Sequence, residues 1–201
     1  MPVAGSVAGA DSAVGADLPL SALRQDGWSA RSLSRGSIMV MALLVVRHAH
    51  AGRRSASKGD DRVRPLSPRG RARADALIPI LAAYRPKRIL SSPYVRCCET
   101  VQPVAESLGL AVESVDELAE GHSSDAIRLL TTMAGESAVL CTHGDVANAL
   151  LDFLVPDPSA KGRASMRLQK GDVWVVQSIG KALAIAEHLR RPVASKPVDG
   201  G

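Results

Sequence analysis

The sequence predicts an α/β fold with three layers, α/β/α, around a mainly parallel central sheet. Short apolar runs alternate with segments of helical periodicity along most of the chain, and repeated β–α alternation is typical of parallel sheets. Aromatic residues are only 2% of the 201 residues although 46% are hydrophobic. Aliphatic side chains must therefore fill the core, as they do in parallel sheets.

The predicted strands are short apolar runs that end at polar or charged residues, as strands buried on both faces do. They lie at 42–46, 88–91, 111–115 and 137–141. The segments 172–178 and 182–188 are separated by Ile179-Gly180-Lys181, which predicts an antiparallel hairpin.

The predicted helices fill the intervals between these strands. They lie at 68–84, with Pro79 inside, and at 94–108, 123–133 and 145–154. Gly109, Gly135 and Pro156 follow three of these segments, and Gly and Pro are typical helix stops.

The domain is predicted to span residues 41–190, between two tails. Residues 1–40 are rich in Ala, Gly and Ser and lack a persistent period, so they are predicted to be disordered. An alternative hypothesis is that translation begins at Met39 or Met41. Residues 191–201 contain two Pro and end in two Gly, and they are predicted to be flexible.

The formal charge of +5 comes from one segment of the chain. Residues 47–73 carry nine basic and two acidic residues, a local net of +7. This pattern suits an anionic substrate at least as well as a polyanion-binding surface. The odd number of Cys, three, argues against a framework of paired disulfides and favours the cytoplasm. No apolar run approaches the ~20 residues of a membrane span.

Polar side chains follow three of the predicted strands. Arg47 and His48 follow the first, Ser92 and then Arg96 follow the second, and His143 follows the fourth. Because ligands bind outside the carboxyl ends of parallel strands, we expect these side chains to converge. Helix N-termini beside them favour anions.

These residue types suit phosphoryl transfer. Arginine matches phosphate oxygens, and an imidazole beside arginine is pushed toward the neutral form that attacks phosphorus. A second histidine can donate to a phosphoryl oxygen. A proton donor for the leaving group is expected from the loop that holds Asp116, Glu117 and Glu120. The pattern predicts transfer through a phosphohistidine without a metal.

Four motifs, in chain order, resemble those of the histidine phosphatase superfamily, which has the phosphoglycerate mutase-like fold. Val46-Arg47-His48-Ala49 is similar to its Arg-His-Gly/Ala motif, and residues 64–70 resemble its L-[ST]-x-x-G helix start. Residues 91–100 are similar to its S-x-x-x-R-x-x-x-T segment, and Thr142-His143-Gly144 resembles its second His motif. The similarity runs from about residue 42 to 188. It extends to the SixA-like phosphohistidine phosphatase branch and to phosphatase domains fused to Nudix hydrolases in some bacteria.

The resemblance implies roles for individual residues. His48 would be the nucleophile, His143 a second catalytic residue, and Arg47 and Arg96 the phosphate-binding pair. Leu118-Ala119-Glu120-Gly121 is similar to a Leu-x-Glu segment of the family, which favours Glu120 as the proton donor over Glu117 and Asp116. Further candidate substrate contacts are His50, Arg53 and Arg54.

Three functions are compatible with these residues. The leading hypothesis is a phosphatase without cofactor or metal, acting on a phosphohistidine-bearing protein or a small phosphorylated metabolite, with no membrane or nucleic-acid partner. A phosphoglycerate mutase-type phosphotransferase would need lid segments that a short chain is expected to lack. A non-catalytic phosphoprotein- or polyanion-binding domain is disfavoured by the intact set of arginines and histidines.

Other polar residues are assigned structural roles. A His-x-His metal pair at His48 and His50 is disfavoured because Arg47 would lie against the cation. The three Cys are predicted to be small buried hydrophobes. The default interpretation of Arg69, Arg71 and Arg73 is a solvated helix face.

Overall fold

A computed structural model describes residues 41–53, 59–179 and 182–190, and both predicted tails lie outside this range. Within it, a six-stranded sheet is accompanied by four α-helices. The strands are β1 (Ala42–Arg47), β2 (Arg88–Ser91), β3 (Val112–Ser114), β4 (Ala138–Thr142), β5 (Val173–Ile179) and β6 (Ala182–Leu189). The helices are α1 (Pro68–Ala82), α2 (Val95–Leu108), α3 (Ser123–Thr132) and α4 (Gly144–Leu154).

The strand order is β3-β2-β4-β1-β5-β6. β1 pairs in parallel with β4, and β2 pairs in parallel with both β4 and β3. β5 pairs antiparallel with β1 and with β6. The predicted mainly parallel sheet and the predicted hairpin are both confirmed. β1 and β4 lie side by side at the centre, so their carboxyl ends meet.

Alternate residues of β1 face opposite sides of the sheet, and both sides are buried. Leu43 and Val45 belong to a core cluster that includes residues of α3 and α4. Leu44 and Val46 belong to a second cluster that includes residues of α1 and α2. Because each fully buried aliphatic side chain contributes about 1.5–3 kcal/mol, a strand covered on both faces must be apolar at every position. This explains the continuous run and confirms the three-layer α/β/α architecture.

The element boundaries depart from the predictions by one or two residues. α1 ends at Ala82 rather than at residue 84, and Arg85 just beyond it has a positive φ of 49°. β1 and β4 each extend one residue further than predicted because Arg47 pairs with Thr142. Short 3-10 helices at Asp61–Val63, Asp116–Leu118 and Arg163–Met166 had no sequence signal. No helix in the described ranges is long and apolar enough to cross a membrane.

The start of α1 packs against the backbone that follows β1. Ser67 caps the helix by accepting from the Gly70 N–H at 3.2 Å, and its own N–H donates to the His50 carbonyl at 2.9 Å. Gly70 lies against the same carbonyl, so a Cβ added there would be 2.1 Å from the His50 oxygen. Glycine at this position allows the helix to approach the loop that leads from His48.

We expect Gly70→Ala to destabilise the domain by about 2 kcal/mol or more, because the added methyl group overlaps backbone atoms. Helix propensity alone would favour alanine by roughly 1 kcal/mol, so the two effects differ in sign. Urea denaturation of the purified variant measures the change. Ala72→Gly, at an exposed position of the same helix, is the control and should cost only its propensity. A Gly70→Ala variant as stable as the wild type would contradict the close packing.

Candidate active site

The parallel pairing of β1 with β4 places His48 beside His143. Arg47 lies opposite Thr142 in the register, and the His48 N–H donates to the Thr142 carbonyl at 2.9 Å. The centroids of the two imidazoles are 5.3 Å apart, with the rings inclined at 62°. The two histidines, 95 positions apart in the sequence, therefore meet at the carboxyl edge of the sheet.

His48 is held as a single tautomer. Its Nδ1 is 2.7 Å from the Ala49 carbonyl oxygen, and a carbonyl can only accept, so Nδ1 carries the proton and Nε2 carries the lone pair. Thr100 Oγ1 accepts from the Ala49 N–H at 2.9 Å, which helps to hold the backbone at Ala49. Burial, reinforced by the neighbouring His143, Arg96 and Arg47, lowers the pKa of His48 to about 3. The imidazole is thus neutral at physiological pH, with Nε2 available as a nucleophile.

Arg96 is wholly buried in the first turn of α2, between two carboxylates. Its guanidinium lies 2.8 Å from Glu120 Oε1 and 3.1 Å from Asp61 Oδ2, and it also donates to the Asp61 carbonyl at 2.8 Å. The ring of Tyr94 lies over the guanidinium, 4.6 Å from Cζ. A buried cation requires such partners, so Arg96 fixes both acidic loops.

His143 is also fully buried, and polar groups contact both of its ring nitrogens. Nε2 is 2.8 Å from Ser92 Oγ, while Nδ1 is 3.2 Å from an Arg96 nitrogen and 3.4 Å from Glu120 Oε1. Cys97 Sγ is 3.4 Å from Nε2. Cys97 and Cys141 are buried as predicted, but Cys98 is only half-buried, and Cys97 is a neighbour of the second histidine rather than merely a core residue.

Arg47 extends from the end of β1 across the start of α4. Its guanidinium donates to the Leu168 carbonyl at 2.9 Å, and its buried Nε has no hydrogen-bond partner in the described part of the chain. A Cβ on Gly144 would lie 2.6 Å from the guanidinium. Glycine at 144 therefore gives Arg47 room to lie beside His48.

Arg47 and His48 border a cleft of about 600 Å³. Its walls combine cationic, acidic and small residues: Arg47, His48, Gly52, Arg64, Glu120, Gly144, Asp145, Asn148 and Lys170. Arg96 and His143 are fully buried and do not line it. The Glu120 carboxylate lies between them and the cleft, in contact with both. An oxyanion that enters the cleft must therefore compete with the Glu120 carboxylate for the Arg96 guanidinium.

Of the three predicted proton-donor candidates, the structure places one at the cleft. Glu120 lines it, whereas Asp116 and Glu117 are exposed and do not. This placement agrees with the preference for Glu120 and leaves its role as a donor a prediction.

Two of the three predicted substrate contacts do not line the cleft. The His50 imidazole is 2.8 Å from Ser67 Oγ at the start of α1, and neither His50 nor the exposed Arg53 lines the cleft. Arg54 lies outside the described residues. β1 ends at Arg47, so His48 and His50 both follow the strand and its alternation does not set their orientation.

Sequence reasoning missed four neighbours of the site: Asp61, Arg64, Tyr94 and Lys170. Asp61 binds Arg96 and Arg64, and Arg64 and Lys170 line the cleft. Their signals were weak, since Arg64 lies in an arginine-rich stretch and Lys170 in the turn before β5. Among the described residues, no group of three or more His, Cys, Asp or Glu side chains is placed to hold a metal ion.

The fold brings His48, His143 and Arg96 together at the carboxyl edge of a mainly parallel sheet. Residues 43–132 match the family model of the histidine phosphatase superfamily (branch 1). The matched range holds three of the four motifs and confirms the resemblance to this superfamily.

One named relative agrees with the resemblance to this superfamily. The 8-oxo-(d)GTP phosphatase of Mycolicibacterium smegmatis is 35% identical over 156 residues, which are 75% of this chain and 48% of the relative. The chain thus spans about half the length of this curated relative.

Two solved structures share the fold. The protein histidine phosphatase SixA complexed with tungstate has a TM-score of 0.60 at 21% identity, covering 75% of this chain and 97% of its own. A mycobacterial glucosyl-3-phosphoglycerate phosphatase complexed with VO3 has a TM-score of 0.62 at 17% identity, covering 76% and 100%.

The lowered pKa of His48 predicts a pH dependence of stability. Unfolding returns this imidazole to its usual pKa near 6.5, so between pH 6.5 and about 3 the unfolded chain binds one proton more than the folded one. The free energy of unfolding therefore falls as the pH falls, by up to about 1.4 kcal/mol per pH unit from this group. In His48→Gln that contribution is absent, so urea denaturation between pH 4 and 6.5 should give a shallower slope. Equal slopes would show that His48 titrates normally in the folded protein.

We expect Glu120→Gln to bind tungstate severalfold more tightly than the wild type. The neutral amide oxygen competes less well than a carboxylate for Arg96, and the substitution removes a negative charge from the cleft. Isothermal titration calorimetry measures the affinity. Glu117→Gln is the matched control, because it makes the same change of charge at an exposed position outside the cleft. Unchanged or weaker tungstate binding in Glu120→Gln would argue against the competition.

Proposed function

We propose that this domain is a metal-independent phosphatase that carries the phosphoryl group on His48 and transfers it to water. The observation that carries the proposal is the neutral imidazole of His48, whose Nδ1 is bonded to the Ala49 carbonyl while the ring borders a cleft with three basic residues. The proposed substrates are a phosphohistidine-bearing protein or a small phosphorylated metabolite.

Arginine side chains bind the phosphoryl group in this proposal. Arg47 borders the cleft beside His48 and has an unpartnered Nε–H among the described residues, and Arg96 binds a phosphoryl oxygen where it now binds Glu120. Guanidinium groups match the geometry of phosphate oxygens and keep their charge at any physiological pH. The pair holds the phosphorus in front of Nε2 of His48.

Transfer then proceeds in two balanced steps. Nε2 of His48 forms a P–N bond as the bond from phosphorus to the leaving group breaks, and Glu120 supplies the proton that an alkoxide leaving group takes. His143 stabilises the charge on the phosphoryl oxygens. Water next attacks the phosphohistidine, the P–N bond breaks, and inorganic phosphate leaves. His48 recovers its lone pair, and the proton lost by water returns to Glu120.

Similarity supports the reaction class and suggests which metabolites to test. The relative from Mycolicibacterium smegmatis is named for a nucleotide substrate, and the SixA protein of shared fold is named for protein phosphohistidine. Nucleotides and phosphohistidine proteins are therefore the first substrates to assay. A phosphohistidine substrate has an imidazole leaving group, which needs less help from an acid than an alkoxide does.

We expect His48→Ala to lose phosphatase activity on p-nitrophenyl phosphate by about three orders of magnitude or more, because the nucleophile is removed. Labelled substrate quenched in alkali should leave phosphate on the wild type and none on His48→Ala. His122→Ala, which removes an exposed histidine outside the cleft, is the control and should retain activity. EDTA should not change the wild-type rate. A fully active His48→Ala, or inactivation by EDTA that metal reverses, would refute the mechanism.

A further inference from the structure

Lys170 lines the same cleft as His48 but has no part in the mechanism proposed above. The two arginines on the cleft wall are engaged with protein oxygens: Arg47 with the Leu168 carbonyl, and Arg64 with the Ala51 carbonyl and Asp61. No hydrogen bond or ion pair joins the Lys170 ammonium to another residue within the described ranges. Its three donors therefore have no partner in the described part of the chain.

The backbone of Lys170 is held firmly beside Arg47. The Asp172 N–H donates to the Gln169 carbonyl at 3.0 Å and closes a turn in which Gly171 has a φ of +81°. The Gly171 N–H donates to the Arg47 carbonyl at 2.9 Å. Lys170 is thus tied to the residue that precedes the nucleophile.

A second set of contacts holds this turn from the other side. Arg73 Nε donates to the Gly171 carbonyl at 2.9 Å, and its terminal nitrogen donates there at 2.7 Å. Asp172 Oδ2 accepts from the Gln169 N–H at 3.0 Å. Arg73 is therefore a structural tether, which corrects its assignment to a solvated helix face. A lysine on so constrained a turn is prepositioned toward the cleft.

The electrostatics of this corner favour an anion. Lys170 is half-buried, and burial together with the charges of Arg47, Arg64 and Arg96 lowers its pKa. Like charges gathered at this spacing repel one another, and an anion between them relieves that repulsion. The carboxylates on the cleft wall already have donors, since Glu120 accepts from Arg96 and Asp145 accepts from the Gly121 N–H at 2.8 Å.

We propose that Lys170 binds a second phosphate of the substrate, next to the phosphoryl group that His48 attacks, and so selects diphosphates over monoesters. The inference rests on the proposed function of His48. A phosphoanhydride places its second phosphate one bridging oxygen from the transferred phosphorus, which suits a cation tied to the residue that precedes the nucleophile.

The leaving group of a diphosphate also removes the need for an acid. Nε2 of His48 bonds to the terminal phosphorus as the bridging P–O bond breaks, and the electron pair stays on the departing phosphate monoester, a stable anion. This step needs no proton from an acid, so it does not depend on Glu120 as a donor. Water then cleaves the P–N bond and releases inorganic phosphate and a proton.

Phenyl diphosphate and phenyl phosphate form a matched pair of probes, since they differ only by the second phosphate. We expect Lys170→Gln to lower kcat/KM for phenyl diphosphate about tenfold and for phenyl phosphate less than twofold. Lys170→Arg should recover most of the diphosphate activity. Lys161→Gln, the same change of charge at an exposed position outside the cleft, should leave both rates unchanged.

The outcomes separate this inference from the proposed function. Equal losses on both probes, or no loss on either, would overturn the role of Lys170 while the phosphatase assignment stands. If the wild type hydrolyses neither probe, the proposed function fails. Calorimetric binding of the same two probes to the wild type and Lys170→Gln then decides the inference alone: a loss of affinity specific to the diphosphate supports it, and any other pattern overturns it.

Discussion

The buried charge of Arg96 is the constraint on which the site depends. A guanidinium with no solvent exposure is costly unless it is paired and hydrogen-bonded, and Asp61 and Glu120 supply this pairing from two loops far apart in the chain. The loops are thereby drawn over the carboxyl edge of the sheet. When a phosphoryl group binds Arg96, the guanidinium exchanges the Glu120 carboxylate for a phosphoryl oxygen. The affinity for the phosphoryl group therefore reflects the difference in strength between these two acceptors and not the gain of an additional hydrogen bond.

The proposed nucleophile, His48, is organised in the opposite way, by groups that need not change partners in the proposed reaction. The Ala49 carbonyl sets the tautomer of His48, Thr100 holds the Ala49 peptide, and the Thr142 carbonyl accepts the His48 N–H. These contacts follow from the pairing of β1 with β4 and from the packing of α2. The imidazole therefore needs no change of tautomer or orientation when a substrate binds in the proposed mechanism. The fold thus combines a firmly held imidazole at His48 with a guanidinium at Arg96 whose acceptor could be exchanged for a phosphoryl oxygen in the proposed mechanism.

The sequence predicts the residues at the strand ends of this site better than the contacts made by its loops. Apolar runs set the strands, and strand ends predict that His48, Arg96 and His143 converge, because parallel strands deliver their carboxyl ends to one edge. Asp61 and Lys170 lie outside the α-helices and strands, in segments with no hydrophobic periodicity from which their contacts could be predicted. His50 shows the same limit, since it lies in the segment after β1 and contacts Ser67 instead of lining the cleft.

In the proposed mechanism Glu120 links Arg96 to the reaction at His48, because its carboxyl group has two roles. It pairs with Arg96 in the structure, and it donates a proton to the leaving group in the proposed reaction. A phosphoryl group that binds Arg96 displaces Glu120 from the guanidinium and so frees it for the second role. An alkyl phosphate requires this displacement, because its leaving oxygen must receive a proton. A phosphoanhydride does not need the proton, so the chemistry of the leaving group decides how much the proposed reaction depends on Glu120.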